Sequence, residues 1–235
     1  MVALDVFGVA LLACLVRVLS GKTCPSSIKC GDLGNIIFPF TNTLHRDCGI
    51  LVIHGCDDQE PGAKKSIKYN NTFFDVVGLD PSTITIKDDK LHDLLIQRSC
   101  DTFSYSSTFT VSSPLLKASR FKDQLEILRC NHSLVDPSKN SVSNSILCKN
   151  GTVVYAMVDR NPSGSGYSKQ KGCSIVLLPS NFQQLNGYLN LSDPFDFITD
   201  NITIEIELSP DCSTCIHVHG GQCRLDNTQK FFCYT

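Results

Sequence analysis

Cysteine restricts the folds open to this chain more than any other residue. Thirteen cysteines lie among 235 residues, and one of them, Cys14, falls within an apolar leader-like stretch. The other twelve are Cys24, Cys30, Cys48, Cys56, Cys100, Cys130, Cys148, Cys173, Cys212, Cys215, Cys223 and Cys233. Twelve is even, and an even set in a chain bound for an oxidising compartment reads as a disulfide framework. Each bridge typically contributes about 2–4 kcal/mol by restricting the unfolded chain, so small cores suffice. Spacing leaves the pairing open.

Two further features argue for that compartment. Residues 1–20, MVALDVFGVALLACLVRVLS, place the apolar stretch Val6–Val16 ahead of the small Ser20 and Gly21, as in a secretory signal peptide cleaved near Ser20. The stretch is short for a membrane span, and no other run of about 18 apolar residues follows, so a secreted product with no membrane span is expected. Five N-x-[ST] triplets begin at Asn70, Asn131, Asn150, Asn190 and Asn201, the acceptor pattern for N-glycosylation.

Composition narrows the function classes. With 42% apolar and 19% charged residues the chain is too apolar for disorder. A net charge of −2 lacks the basic footprint of a nucleic-acid binder.

Strand patterns dominate. Thr83–Lys87 and Asn201–Leu208 alternate strictly, which lines Ile84 with Ile86, and Ile202 with Ile204, Ile206 and Leu208, along one face of each strand. Asn201 and Thr203 then fall on the solvated face. The runs Ile36–Phe40, Ile50–Ile53, Phe73–Val77, Phe103–Val111, Val153–Val158 and Ser174–Leu178 are rich in β-branched and aromatic residues. Turn chemistry separates them, including Asp80-Pro81, Asn150-Gly151 and the stretch Asn161–Gly166. Helical spacing occurs only in Asp89–Gln97 and Leu115–Cys130, in both without good caps. The expected architecture is mostly β: two small disulfide-rich β domains with short helices at most, over 21–100 and 101–235, after a signal peptide over 1–20.

No chemistry-bearing motif points to catalysis. A G-x-S-x-G elbow, an H-E-x-x-H pair and a phosphate-cradling loop are all missing, so the chain is not expected to be an enzyme. Cys212-x₂-Cys215 with His217 and His219 could supply zinc ligands, but a second C-x₂-C pair is lacking. In an oxidising compartment those thiols are expected in disulfides, and no metal site is expected. Lys64, Lys65 and Lys68, joined by Arg46, form the candidate ligand-binding set. Such cations could pair with an anionic polymer, and because each exposed contact is weak and salt-screened, several must act together. Exposed aromatic rings offer a second route to sugars, with Tyr69, Phe73, Phe74, Tyr105, Tyr155, Tyr167 and Tyr188 as candidates, most of them expected in cores or cross-strand pairs.

One pattern carries a family resemblance. Cys24, then Cys30-Gly31-Asp32-Leu33-Gly34-Asn35-Ile36-Ile37-Phe38-Pro39-Phe40, then Cys48-Gly49-Ile50-Leu51-Val52-Ile53-His54-Gly55-Cys56, resembles the galacturonan-binding extracellular domain of plant wall-associated receptor kinases. The tail, Gly187-Tyr188-Leu189-Asn190 followed by Cys212-x₂-Cys215, Gly220-Gly221-x-Cys223 and Phe231-Phe232-Cys233, resembles the wall-associated kinase C-terminal domain. The order is that of leaf-rust-resistance-locus-type receptor-like kinase ectodomains. Where that family continues from a Cys-x-Cys ending to a membrane span and a serine/threonine kinase, this chain reads Cys233-Tyr234-Thr235. It is read either as a secreted ectodomain or as a receptor cut short of its membrane anchor.

The resemblance implies non-catalytic recognition of pectin, a polygalacturonan, at the cell wall, with oligogalacturonides as ligands. No cofactor is implied beyond calcium as a bridge to pectin. Receptor-kinase ectodomains or other proteins are the further partners. The family pattern supplies no binding residues, so Arg46, Lys64, Lys65 and Lys68 rest on their clustering alone. The competing reading is a disulfide-rich secreted module that binds a protein partner in defence signalling.

Overall fold

The computed structural model describes residues 24–58, 62–105, 109, 111–131, 145–157, 172–181 and 193–235. The expected signal peptide, Asn190, Tyr167, Tyr188 and the turn Asn161–Gly166 lie outside them.

In chain order the strands are β1 (Ile28–Lys29), β2 (Asn35–Ile36), β3 (Phe40–Asn42), β4 (Leu51–His54), β5 (Ser66–Tyr69), β6 (Thr72–Asp80) and β7 (Thr83–Lys87). The helix α1 (Asp89–Ile96) follows, then β8 (Leu116–Phe121), β9 (Gln124–Asn131), β10 (Ser145–Leu147), β11 (Thr152–Met157), β12 (Cys173–Pro179) and β13 (Asn201–Leu208). The helix α2 (Pro210–His217) and the strands β14 (Gln222–Leu225) and β15 (Phe231–Tyr234) complete the described chain. The protein is thus mostly β and rich in disulfides, and no described helix is long and apolar enough to cross a membrane.

The two strictly alternating segments are neighbouring interior strands of a seven-stranded sheet ordered β3-β4-β5-β6-β7-β13-β8. Strands β7 and β13 pair antiparallel, with Ile202 opposite Ile86 and Ile204 opposite Ile84, and all four isoleucines are 0% exposed. Beneath them lie Ile36, Phe40, Ile53, Ile67, Phe109 and the Cys30–Cys56 bridge. The β5–β6 hairpin closes through Asn70 and Asn71, at φ 44° and 65°. Two positive φ values in a two-residue loop match the twist of the flanking strands, and asparagine tolerates them.

This sheet draws β13 and β8 from beyond Cys100, so strands from both sides of the boundary expected between residues 100 and 101 share it. The reason is the free edge of β7, whose backbone groups and apolar face need a partner on the side away from β6.

A second sheet, ordered β10-β11-β9-β12, packs Leu125, Ile127, Val154 and Leu178 against Leu91 of α1 and Phe103, Phe195 and Phe197. Asp88 caps α1, accepting from Leu91 N at 3.0 Å and from the Tyr105 hydroxyl. The Cys100–Cys148 bridge fastens this corner, and Cys130–Cys173 joins directly opposed residues of β9 and β12.

Three local expectations change. Leu115–Cys130 contains β8 and β9, separated at Lys122 and Asp123, because both segments find strand partners that override the helical spacing. Within Phe103–Val111 the start belongs to a 3-10 turn, Cys100–Ser104, whose first turn is capped by Ser99. Ile36–Phe40 is interrupted between β2 and β3 by a cis Phe38–Pro39 peptide.

The tail is a helix and a hairpin joined by Cys212–Cys223 and Cys215–Cys233. Ser209 caps α2 by accepting from Cys212 N at 3.3 Å, with Pro210 at its first position. A Cβ on Gly221 would lie 2.6 Å from Cys233 Sγ and 3.0 Å from Cys215 Sγ, so only glycine fits against that bridge. Gln222 Nε2 donates to Cys24 O at 2.7 Å, which fastens the hairpin to the start of the described chain.

Two predictions follow from these contacts. Cross-links over 11 and 18 residues, each contributing about 3 kcal/mol, carry much of the tail's stability. The C215S/C233S double variant should be cut by protease within residues 210–235 while amides of β7 and β13 stay protected from exchange. Unchanged protease resistance of the tail, even after full reduction, would show that packing alone holds it.

Burial and then the hydrogen bond to Asp88 push the Tyr105 hydroxyl above its ordinary value of 10.0. The unfolded chain therefore releases this proton first, and the stability it provides is complete below that value and lost as pH rises through the folded value. Tyr105→Phe should cost about 1 kcal/mol near neutrality and flatten the alkaline fall in stability, as read from urea midpoints between about pH 8 and about pH 11.

Candidate functional site

Alternation in the large sheet decides which side chains meet solvent. On its outer face a row crosses five strands in register: His54 opposite Ser66, Ser66 opposite Asp75, Asp75 opposite Lys87, and Lys87 opposite Asn201. At the usual strand spacing the row is about 19 Å long. The inward neighbours Ile53, Ile67, Val76, Ile86 and Ile202 are all buried.

Beside this row, Lys68 stands opposite Phe73. The Phe73 side is 54% exposed, an unusual position for a large apolar ring. Its ring meets His54 edge-on, with centroids 5.4 Å apart at 81°, and the Lys68 ammonium lies 5.6 Å from its centroid. Lys64 Nζ reaches Asp75 Oδ2 at 2.7 Å, with the lysine side chain 69% exposed. The Asp75 carboxylate, by its hydrogen bond and then its charge, holds the Lys64 ammonium above its ordinary value. The face thus carries an exposed ring, an imidazole, three ammonium groups and one carboxylate, on an open surface rather than in a pocket.

The four expected cations separate here. Lys64 and Lys68 lie on this face. Lys65 is 7% exposed and donates from Nζ to Gly55 O at 2.6 Å. Its stem also runs past Gly31, where a Cβ would lie 3.0 Å from Lys65 Cε. Since Gly31 and Gly55 adjoin Cys30 and Cys56, Lys65 braces that disulfide corner and is unavailable to a ligand. A Cβ on Gly55 would meet Lys64 O at 2.4 Å, which makes glycine obligatory at this crossing. Arg46 sits in a separate, exposed 3-10 turn, Arg46–Cys48, beside the Cys24–Cys48 bridge.

Sequence reasoning passed over His54, Asp75 and Lys87, and treated Phe73 as more at home in a core. The signal for Phe73 was present: with Phe74 and Val76 directed inward, period two turns Phe73 and Asp75 outward.

The remaining candidates are placed as follows. The twelve cysteines from Cys24 to Cys233 form six disulfides, so Cys212 and Cys215 offer no thiolate beside the exposed His217 and His219. Among the described residues no cluster of three or more His, Cys, Asp or Glu could hold a metal ion. Tyr69 and Phe74 pack around Phe109, while Tyr155 is buried on the second sheet. Asn70, Asn131, Asn150 and Asn201 are exposed.

No family model, no curated protein and no solved structure matches the chain.

The placement of the lysines gives a direct test. Lys65→Ala orphans a carbonyl acceptor and removes packing at the Cys30–Cys56 corner, and should cost about 1–3 kcal/mol in urea unfolding. Lys64→Ala and Lys68→Ala, both at the surface, should stay within about 0.5 kcal/mol of the parent.

Proposed function

We propose that this protein recognises cell-wall pectin outside the cell, binding the polygalacturonan without altering it. The observation that carries this reading is the outer sheet face, where the exposed Phe73 ring lies between His54 and Lys68 with Lys64 and Lys87 alongside. A uronate combines a carboxylate with a flatter face of C–H groups. The ring can receive that face while ammonium groups pair with the carboxylate, and Asp75 can accept from sugar hydroxyls. Calcium would act only as a bridge between polymer carboxylates and Asp75. The cysteine pattern from Cys24 to Cys56, which resembles the galacturonan-binding domain, supports the same ligand. Six disulfides and exposed acceptor asparagines support an extracellular, cell-wall setting, with a receptor-kinase type of ectodomain as the architecture.

A second reading rests on the tail. The hairpin exposes Phe232 and Tyr234, and the Arg224 guanidinium lies 4.4 Å over the Tyr234 ring. Aromatic and arginine side chains of this kind anchor protein interfaces, so another ectodomain or a defence-related protein is the alternative partner.

The experiment is equilibrium binding of the oxidised, secreted protein to de-esterified oligogalacturonides, with calcium and with chelator, against a neutral glucan. Binding should saturate and weaken with salt, with no new reducing ends formed. Phe73→Ala and the K64A/K68A double variant should each lose about tenfold in affinity, or ~1.4 kcal/mol. Absence of binding by protein that carries all its disulfides would overturn the pectin reading and favour the protein partner.

A further inference from the structure

The register across the outer face places one glycosylation acceptor inside the candidate site. Asn201 begins the triplet Asn201-Ile202-Thr203 and is exposed at the start of β13. Ile202 is 0% exposed, so alternation sends the Asn201 side chain out on the face that carries Lys87, its direct partner across the β7–β13 pair. Lys87 in turn faces Asp75, which holds Lys64. Two strand spacings, about 10 Å, separate Asn201 from the Asp75 position, a span that a few linked pyranose rings cover.

The other described acceptors lie off this row. Asn70 is in the hairpin turn at the end of β5, Asn131 ends β9, and Asn150 is in the turn before β11. Only Asn201 among them shares the row of cations.

We propose that Asn201 carries an N-linked glycan that lies over Lys87 and the Lys64–Asp75 pair and limits polyanion access to that end of the face. A neutral, hydrated oligosaccharide there shields the ammonium groups sterically and leaves the His54–Phe73–Lys68 end as the entry for ligand. The limit on ligand access rests on the pectin reading of this site, whereas the cover over Lys87 does not. Site occupancy by the glycan then sets how many of the cations a polymer can engage together, and so regulates avidity.

The test compares the secreted wild-type protein, Asn201→Gln and Asn131→Gln. Glycopeptide mass spectrometry reads occupancy, a bulky amine-reactive ester reads access to Lys87 with Lys117 as reference, and de-esterified oligogalacturonides read binding. The expected result is an occupied Asn201, a severalfold rise in Lys87 labelling in Asn201→Gln with Lys117 unchanged, and a severalfold gain in affinity. Asn131→Gln, at the end of β9 in the other sheet, should change neither. Should Asn201→Gln not be secreted, endoglycosidase trimming of the folded wild-type protein replaces it. An unoccupied Asn201, unchanged Lys87 labelling on loss of the glycan, or measurable pectin binding that is equal in both forms would overturn the proposal. A rise in Lys87 labelling with no pectin binding by either form would uphold the cover and overturn the pectin reading instead.

Discussion

The pairing of Ile84 and Ile86 with Ile204 and Ile202 is the contact on which the rest of the molecule depends. Each fully buried isoleucine contributes about 1.5–3 kcal/mol, and a slip of one residue would turn the whole set to water. On the opposite face Thr85 and Thr203 share a hydrogen bond at 3.0 Å, which favours the same register. That register joins strands from distant parts of the chain, fixes Lys87 beside Asn201, and through β6 fixes Asp75 beside Lys87. The chemistry of the outer surface is therefore a consequence of core packing.

At both ends of the described chain, disulfides hold short elements together. Strands β1 and β2 have two residues each and would not persist alone, yet the Cys30–Cys56 and Cys24–Cys48 bridges hold their surroundings. The buried Lys65 belongs to this arrangement. Its ammonium satisfies the Gly55 carbonyl and its stem fills space above Gly31, so a charged residue completes a corner that has little apolar material of its own. In the tail, Gly221 has a corresponding steric role, since its missing side chain leaves room for the Cys215–Cys233 bridge.

Much of this was legible in the sequence wherever one physical rule acted alone. Strict alternation identified β7 and β13 because each buries one face, and the even cysteine count identified a disulfide framework. Pairing was not legible, because it depends on which loops meet in space. Leu115–Cys130 misled because apolar residues from two successive strands fell by coincidence at helical spacing. The lysine cluster misled differently. Successive residues of an extended chain project to opposite sides, so Lys64 and Lys65 could not both join one surface. Their neighbours in the site, His54 and Lys87, come from other strands, and only the sheet register brings them near.

An open face of this kind sets its own terms for recognition. Without a pocket to exclude water, each ammonium–carboxylate contact is worth at most about 1 kcal/mol and is screened by salt. The ring of Phe73 adds contact area but no enclosure. A single uronic acid would therefore be held weakly, whereas a polymer bearing a carboxylate on every unit can engage successive cations at a high effective concentration. The geometry suits that division: Lys68 and Phe73 lie at one end, Lys87 beyond Asp75 at the other, and Lys64 between them is tied to Asp75. On the proposed reading, Asp75 would have to release Lys64 before that cation could engage a ligand fully, so the carboxylate would raise the threshold for short or sparsely charged chains and leave long, fully charged ones favoured.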